Sequence, residues 1–223
     1  MKTVTKMRLS KETINILKNF ASINSNILIE PGSRLRTRSS GSNIYAVANV
    51  QEDFETEIAI WDLNKFLGII SMFNNPDLEF HDKYVDISNG KSTVKYYYAE
   101  KSLLTVPTRE VKMPETIFTF DLEEQDLNEI LKSSSILQVS DLKIVAGDGK
   151  IVITVQDSGN DTSDSFELVI EEDYDGPDYE GSLKVTDVKF LPGSYKVEIT
   201  DTIVSRFTHT NNGLIYYIAI NKA

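Results

Sequence analysis

Apolar residues along this chain recur with two periods, one helical and one extended. In Ser10–Asn24 (SKETINILKNFASIN), Ile14, Ile16, Leu17, Phe20, Ala21 and Ile23 fall on one half of a helical wheel. Lys11, Asn15, Lys18 and Ser22 fall on the other half, with Glu12 at its edge. Ser10 is placed to cap this helix, its hydroxyl accepting a backbone N–H that has no intrahelical partner. Asp62–Phe73 (DLNKFLGIISMF) predicts a second helix with Leu63, Phe66, Leu67, Ile70 and Phe73 on one side and Lys65 at the margin. Asp121–Leu137 predicts a third, with Leu127, Ile130, Leu131 and Ser134 on one face.

The remaining apolar runs are strand-like. Residues 27–30, 34–38, 43–50 and 55–60 follow the first helix, and 78–81, 84–88 and 93–99 follow the second. Pro31-Gly32, Ser40-Gly41 and Asn89-Gly90 supply turns. Alternation in Arg34–Arg38 puts its three arginines on one face. After the third helix, strands are expected at 142–146, 151–156 and 165–170, and then at 195–200, 203–208 and 214–220. Between these two groups lies a short apolar segment, Val185–Leu191, in the place of a second short helix.

The order helix, strands, short helix, strands therefore occurs twice. Short echoes accompany it. LKNFASIN from Leu17 is matched by LKSSSILQ from Leu131, an offset of 114. KFL at Lys65 returns at Lys189, and KYYYA at Lys95 resembles IYYIA at Ile215. The expectation is an α+β protein of two similarly folded domains, each with two helices on one face of antiparallel sheets. The domains are expected at 1–106 and 119–223. The connector is 107–118, marked by Pro107 and Pro114, which cannot donate to a ladder.

Composition bounds the chemistry. The 223 residues are 40% hydrophobic, enough for a sizeable core, and contain no cysteine, so disulfides, thiol catalysis and cysteine-ligated metals are excluded. No apolar run approaches the roughly 18 residues of a membrane-spanning helix, so no membrane partner is expected. The opening MKTVTKMRLSK lacks the apolar stretch of a signal peptide. His81 and His209 lack ligand-spaced partners and read as surface or strand residues. No phosphate-cradling glycine loop, zinc-protease helix or nucleophile elbow occurs. The run from Glu171 (EEDYDGPDYEG) has acid enough to attract a cation but not the spacing of a calcium loop, and reads as a solvated acidic segment. The sequence gives no ground for an enzyme, a cofactor or a metal.

The net charge of −11 argues at first against nucleic acid. Its distribution changes that. Residues 1–38 carry eight basic groups against two acids, a net +6, which leaves −17 on the rest. The basic groups are Lys2, Lys6, Arg8, Lys11, Lys18, Arg34, Arg36 and Arg38. A chain that is acidic overall and basic in one place can aim that place at an anion.

The segments LSKETINILKNFASINS, AVANV and EIAIWDLNKFLGIIS, and more thinly LKSSSILQ, DYDG and LPGSYKV, resemble the sliding clamps of T-even-type tailed bacteriophages. The resemblance implies a DNA-clamp fold and a homotrimeric ring threaded by double-stranded DNA without sequence preference. It further implies tethering of the replicative DNA polymerase, opening by an ATP-driven clamp loader, contact with late-transcription factors, and action in the host cell cytoplasm without catalysis. By that resemblance Lys11 and Lys18 match lysines of the family's first helix, and Lys132 matches a basic position in the second domain's helix. A further basic position there is Ser135 in this chain, and Glu129 stands near Lys132. Asn15, Ser22 and Lys65 complete the DNA-facing candidates, and Lys2, Lys6 and Arg8 are possible extensions of the basic lining. Subunits are expected to join strand 93–98 to strand 163–168. There Tyr96, Tyr97, Tyr98 and Lys95, with Lys91, would face Asp164, Phe166 and Glu167. A partner-peptide pocket is expected at Val106, Pro107, Val111, Met113 and Pro114. The alternative is a two-domain phage interaction protein that never touches DNA.

Overall fold

The computed structural model describes residues 5–160 and 162–222. The chain divides into two compact units, residues 1–110 and 111–223.

The first unit runs β1 (Thr5–Met7), α1 (Lys11–Ile23), β2 (Ile27–Ile29), β3 (Gly32–Arg38), β4 (Ile44–Phe54), β5 (Ile58–Ile60), α2 (Leu63–Ser71), β6 (Asp77–Phe80), β7 (Tyr84–Ser88) and β8 (Thr93–Tyr97). Strands β1, β6, β7 and β8 form one antiparallel sheet in that order. Strand β3 pairs with β4, and β2 with β5. Helix α1 folds as the wheel predicts, burying Ile16, Leu17, Phe20 and Ile23. It also buries Thr13, which is 0% exposed. Helix α2 buries Leu63, Phe66, Leu67 and Ile70 and packs against α1.

Both helix starts are capped as their sequences suggest. Ser10 Oγ accepts the Thr13 N–H at 3.1 Å, and an Asp62 carboxylate oxygen accepts the Lys65 N–H at 2.8 Å. A second device holds α1. Glu52, from β4, accepts the Ser10 N–H with one carboxylate oxygen and the Thr13 hydroxyl with the other. An anion at a helix start also meets the positive end of the helix dipole.

The second unit runs β9 (Thr116–Leu122), α3 (Glu124–Leu137), β10 (Asp141–Gly147), β11 (Lys150–Gln156), β12 (Phe166–Glu172), β13 (Tyr179–Lys184), β14 (Tyr195–Thr200), β15 (Val204–His209), β16 (Ile215–Ala219) and β17 (Asn221–Lys222). One sheet has the order β12-β11-β10-β13-β17; the other joins β9, β14, β15 and β16. Asp148 and Gly149 both adopt positive φ, +48° and +79°, the geometry of a two-residue turn whose twist matches the β10–β11 hairpin. Phe190 packs its ring on Tyr195, Phe207 and Tyr216 at 4.7–5.0 Å between centroids.

Three expectations are corrected here. The third helix starts at Glu124 rather than Asp121, because residues 116–122 form β9. In that strand Phe118, Phe120 and Leu122 point inward while Thr119 and Asp121 are exposed. The acidic run continues into a strand, β13, which buries Tyr179, Gly181 and Leu183 in alternation. Residues 185–191 do not form a second α-helix; Val185–Asp187 is a single 3-10 turn.

Candidate nucleic-acid interface

Helix α1 presents Lys11, Asn15, Lys18 and Ser22 at spacings of four, three and four residues. At about 100° per residue these lie within about 60° of arc, opposite the buried stripe. All four are exposed. Among the described residues no carboxylate lies within ion-pairing distance of Lys11 or Lys18.

The other basic groups of the amino-terminal segment are differently placed. Lys6 and Arg8 both reach Asp77, at 3.0 and 2.7 Å, and hydrogen bonds from these two side chains hold its carboxyl below the usual value. Arg34 pairs with Glu110, and Arg36 with Glu30. The alternation in β3 holds, with Leu35 and Thr37 buried between the arginines. Arg38 is half-buried and forms no ion pair among the described residues, so Lys11 and Lys18 are the exposed basic groups of this segment that no carboxylate meets among the described residues. Lys2 lies outside the described residues. Lys65 on α2 and Lys132 on α3 are exposed and have no carboxylate within ion-pairing distance among the described residues.

Of the segments expected at a subunit contact, 93–98 is strand over 93–97 and 163–168 only from Phe166, so Asp164 precedes its strand; among the described residues both strands are hydrogen-bonded on one side only. Strand β8 ends its sheet beside β7, and β12 ends its sheet beside β11. The tyrosines of residues 96–98 have separate surroundings. Tyr96 is buried, its hydroxyl donating to the Asp62 carbonyl at 3.3 Å and its ring edge-on to Phe66. Tyr98 is half-buried, and burial pushes its hydroxyl well above the ordinary tyrosine value. Tyr97 is 66% exposed. Lys95 places its ammonium 4.0 Å over the Tyr84 ring, an attraction between cation and π face. Asp164 and Glu167 are exposed and Phe166 is half-buried.

The residues expected at a peptide pocket are all half-buried. Val106 and Pro107 belong to the first unit, and Val111, Met113 and Pro114 to the second. Asn24, the C-cap of α1, donates to the Thr105 carbonyl at 2.8 Å and so ties the segment before Val106 to the helix end. The acids of residues 171–180 do not converge on a metal site among the described residues.

Two devices escaped the sequence reading. The Glu52 clasp joins residues 42 and 39 positions apart, and such a pairing leaves no local periodic mark. The counterparts of the α1 stripe on α3 do have a signal, the offset of 114, although the local echo marks only the helix ends.

The family described as DNA polymerase processivity factor matches residues 10–106, and the one described as gp45 sliding clamp, C terminal, matches residues 119–222. The sliding clamp of Escherichia phage RB69 is 36% identical over 211 residues, covering 90% of this chain and 92% of its own. The chain belongs to the bacteriophage sliding clamps. It is a DNA polymerase processivity factor by that membership. The sliding clamp of Enterobacteria phage T4 is 34% identical over 199 residues, 86% of each chain. Among solved structures, A. fulgidus PCNA with the C-terminal region of FEN-1 bound superposes with a TM-score of 0.73 at 11% identity, covering 99% of both chains. That likeness establishes the clamp fold, and it spans both units.

Proposed function

We propose that this clamp closes as a homotrimer around duplex DNA and slides along it, with α1 facing the phosphates. The observation that carries this reading is the stripe of Lys11, Asn15, Lys18 and Ser22, unopposed by carboxylates in a chain of net charge −11. Phosphate contacts position DNA without reading its sequence. Two lysines alternating with two small polar residues attract the backbone by charge, the sequence-independent part of DNA binding. Acid over the rest of the chain keeps duplex off the other faces.

Ring closure follows from the bare edges. Pairing β8 of one copy with β12 of the next satisfies both rows of backbone groups and removes two aggregation-prone edges. Lys91 and Lys95 then meet Asp164 and Glu167, and Tyr97 packs near Phe166. Partners bind by short terminal peptides beside residues 106–114; a clamp-fold protein with such a segment bound is A. fulgidus PCNA, which holds the C-terminal region of FEN-1. The replicative polymerase is one such partner. An ATP-driven loader opens the ring, late-transcription factors contact it, and the whole acts inside the host cell as a scaffold that catalyses nothing.

The test is primer extension by the cognate polymerase with loader and ATP. Lys11→Glu with Lys18→Glu shortens products to those made without clamp, while the variant keeps its fold and ring mass. Full-length products from that variant would refute the assignment of α1 to DNA.

A further inference from the structure

The offset of 114 can be carried along the whole of α1 and α3. It takes the buried Thr13, Ile16 and Phe20 to Leu127, Ile130 and Ser134, which are 4%, 0% and 5% exposed. It takes the C-cap Asn24 to the C-cap Gln138. The two helices are therefore equivalent, residue for residue, and their outward faces can be compared. Lys11, Asn15, Lys18 and Ser22 correspond to Gln125, Glu129, Lys132 and Ile136.

The two faces have opposite character. On α1 the stripe carries two positive charges and no acid. On α3 it carries one of each, with Glu129 and Lys132 three residues apart and so on adjoining turns. Glu124 and Asp126 open α3 with two more acids, and Ile136, which takes the place of Ser22, is 69% exposed. Taken whole, α1 has two lysines against one acid and α3 has three acids against one lysine. Beyond a Debye length of about 8 Å, a lysine beside a glutamate attracts a phosphate no better than a neutral pair does.

We infer that duplex DNA is tracked by the first unit's α1 alone, and that the matching face of α3 is a non-attracting wall. This rests on the reading that the outward helix faces meet DNA. It means that the attraction in a trimer comes from three lysine pairs, one per protomer. A duplex then shifts between α1 helices and is never gripped all round, which suits a ring that must move.

The experiment follows rings labelled on the surface, loaded on tethered duplex DNA by the cognate loader and ATP, and measures their one-dimensional diffusion at low and physiological salt. Every variant is first checked for ring mass. Lys11→Gln with Lys18→Gln speeds diffusion about threefold or more and flattens its salt dependence. Lys132→Gln changes diffusion by less than about twofold. Gln125→Lys with Glu129→Asn, which copies the α1 stripe onto α3, slows diffusion about threefold or more and steepens its salt dependence. Equal effects of the Lys132 and the Lys11/Lys18 variants would overturn the inference and leave the clamp reading intact. So would unchanged diffusion when the stripe is copied. Failure of the unaltered ring to load or slide would remove the clamp reading, and this inference with it.

Discussion

Replacing Glu52 by alanine tests how the fold holds its DNA-facing helix. In the native chain the Glu52 carboxylate spans from β4 to the start of α1, where it accepts the Ser10 N–H and the Thr13 hydroxyl. Thr13 is fully buried, and its hydroxyl also receives the Ser10 Oγ–H at 2.9 Å. Alanine removes both acceptor oxygens and leaves the Ser10 N–H without its carboxylate. A hydrogen bond to a charged group contributes about 1.5–3 kcal/mol, and the helix-dipole contribution adds about 0.3–1 kcal/mol. Glu52 is half-exposed, so water recovers part of the loss. The net expectation is destabilisation of about 2–4 kcal/mol for Glu52→Ala. Glu52→Gln keeps an acceptor oxygen and should lose about half as much. The assay is urea unfolding followed by far-ultraviolet circular dichroism. Protomer concentration is held fixed, because assembly adds to apparent stability. Because Lys11 is the first residue of α1, frayed rings should also lose processivity before they unfold. A loss below about 0.5 kcal/mol, the range of ordinary surface substitutions, would refute the reasoning that this clasp anchors α1.

Other outcomes follow from the same structure. Burial alone would raise the Asp141 carboxyl, but hydrogen bonds from Lys184 and the Ser158 N–H outweigh it and hold the group below its usual value. Its stabilisation is present above the ordinary aspartate range and is lost as pH falls through the lowered native value. Asp141→Asn is therefore expected to unfold more easily than the unaltered protein at pH 7, by about 1–2 kcal/mol, with the gap closing in acid; thermal unfolding against pH measures it. At the proposed subunit contact, Lys95→Glu should raise the protomer concentration needed for ring assembly about tenfold, and adding Glu167→Lys should restore most of it. Sedimentation velocity reads both.

Periodicity made α1, α2 and most strands legible, because each buries one face and shows the other. The apolar alternation of β9 was equally regular. It was masked by the prolines at 107 and 114, which read as a continuous connector, and by the acids from Asp121 that suit a helix start. Strand β13 was hidden for a related reason. Its outward residues extend the acidic run, while Tyr179, Gly181 and Leu183, which face inward, are too few and too unlike one another to stand out. At residues 185–191 the apolar count suggests a helix, but the backbone leaves the turn at Val188, four residues before Pro192. The site was legible only in part. Charge counting located the basic segment. It could not tell the free lysines of α1 from Lys6, Arg8, Arg34 and Arg36, whose acidic partners lie distant in sequence for all but one pair. Only the folded chain separates paired from unpaired charge.

The central claim is that this clamp is linked to DNA by topology. Rings are loaded by the cognate loader and ATP onto nicked circular duplex, separated from free protein by gel filtration, and the circle is then cut once. The account predicts that rings stay with the intact circle and leave the cut one within the time of the separation. Equal retention on circular and linear DNA would contradict it.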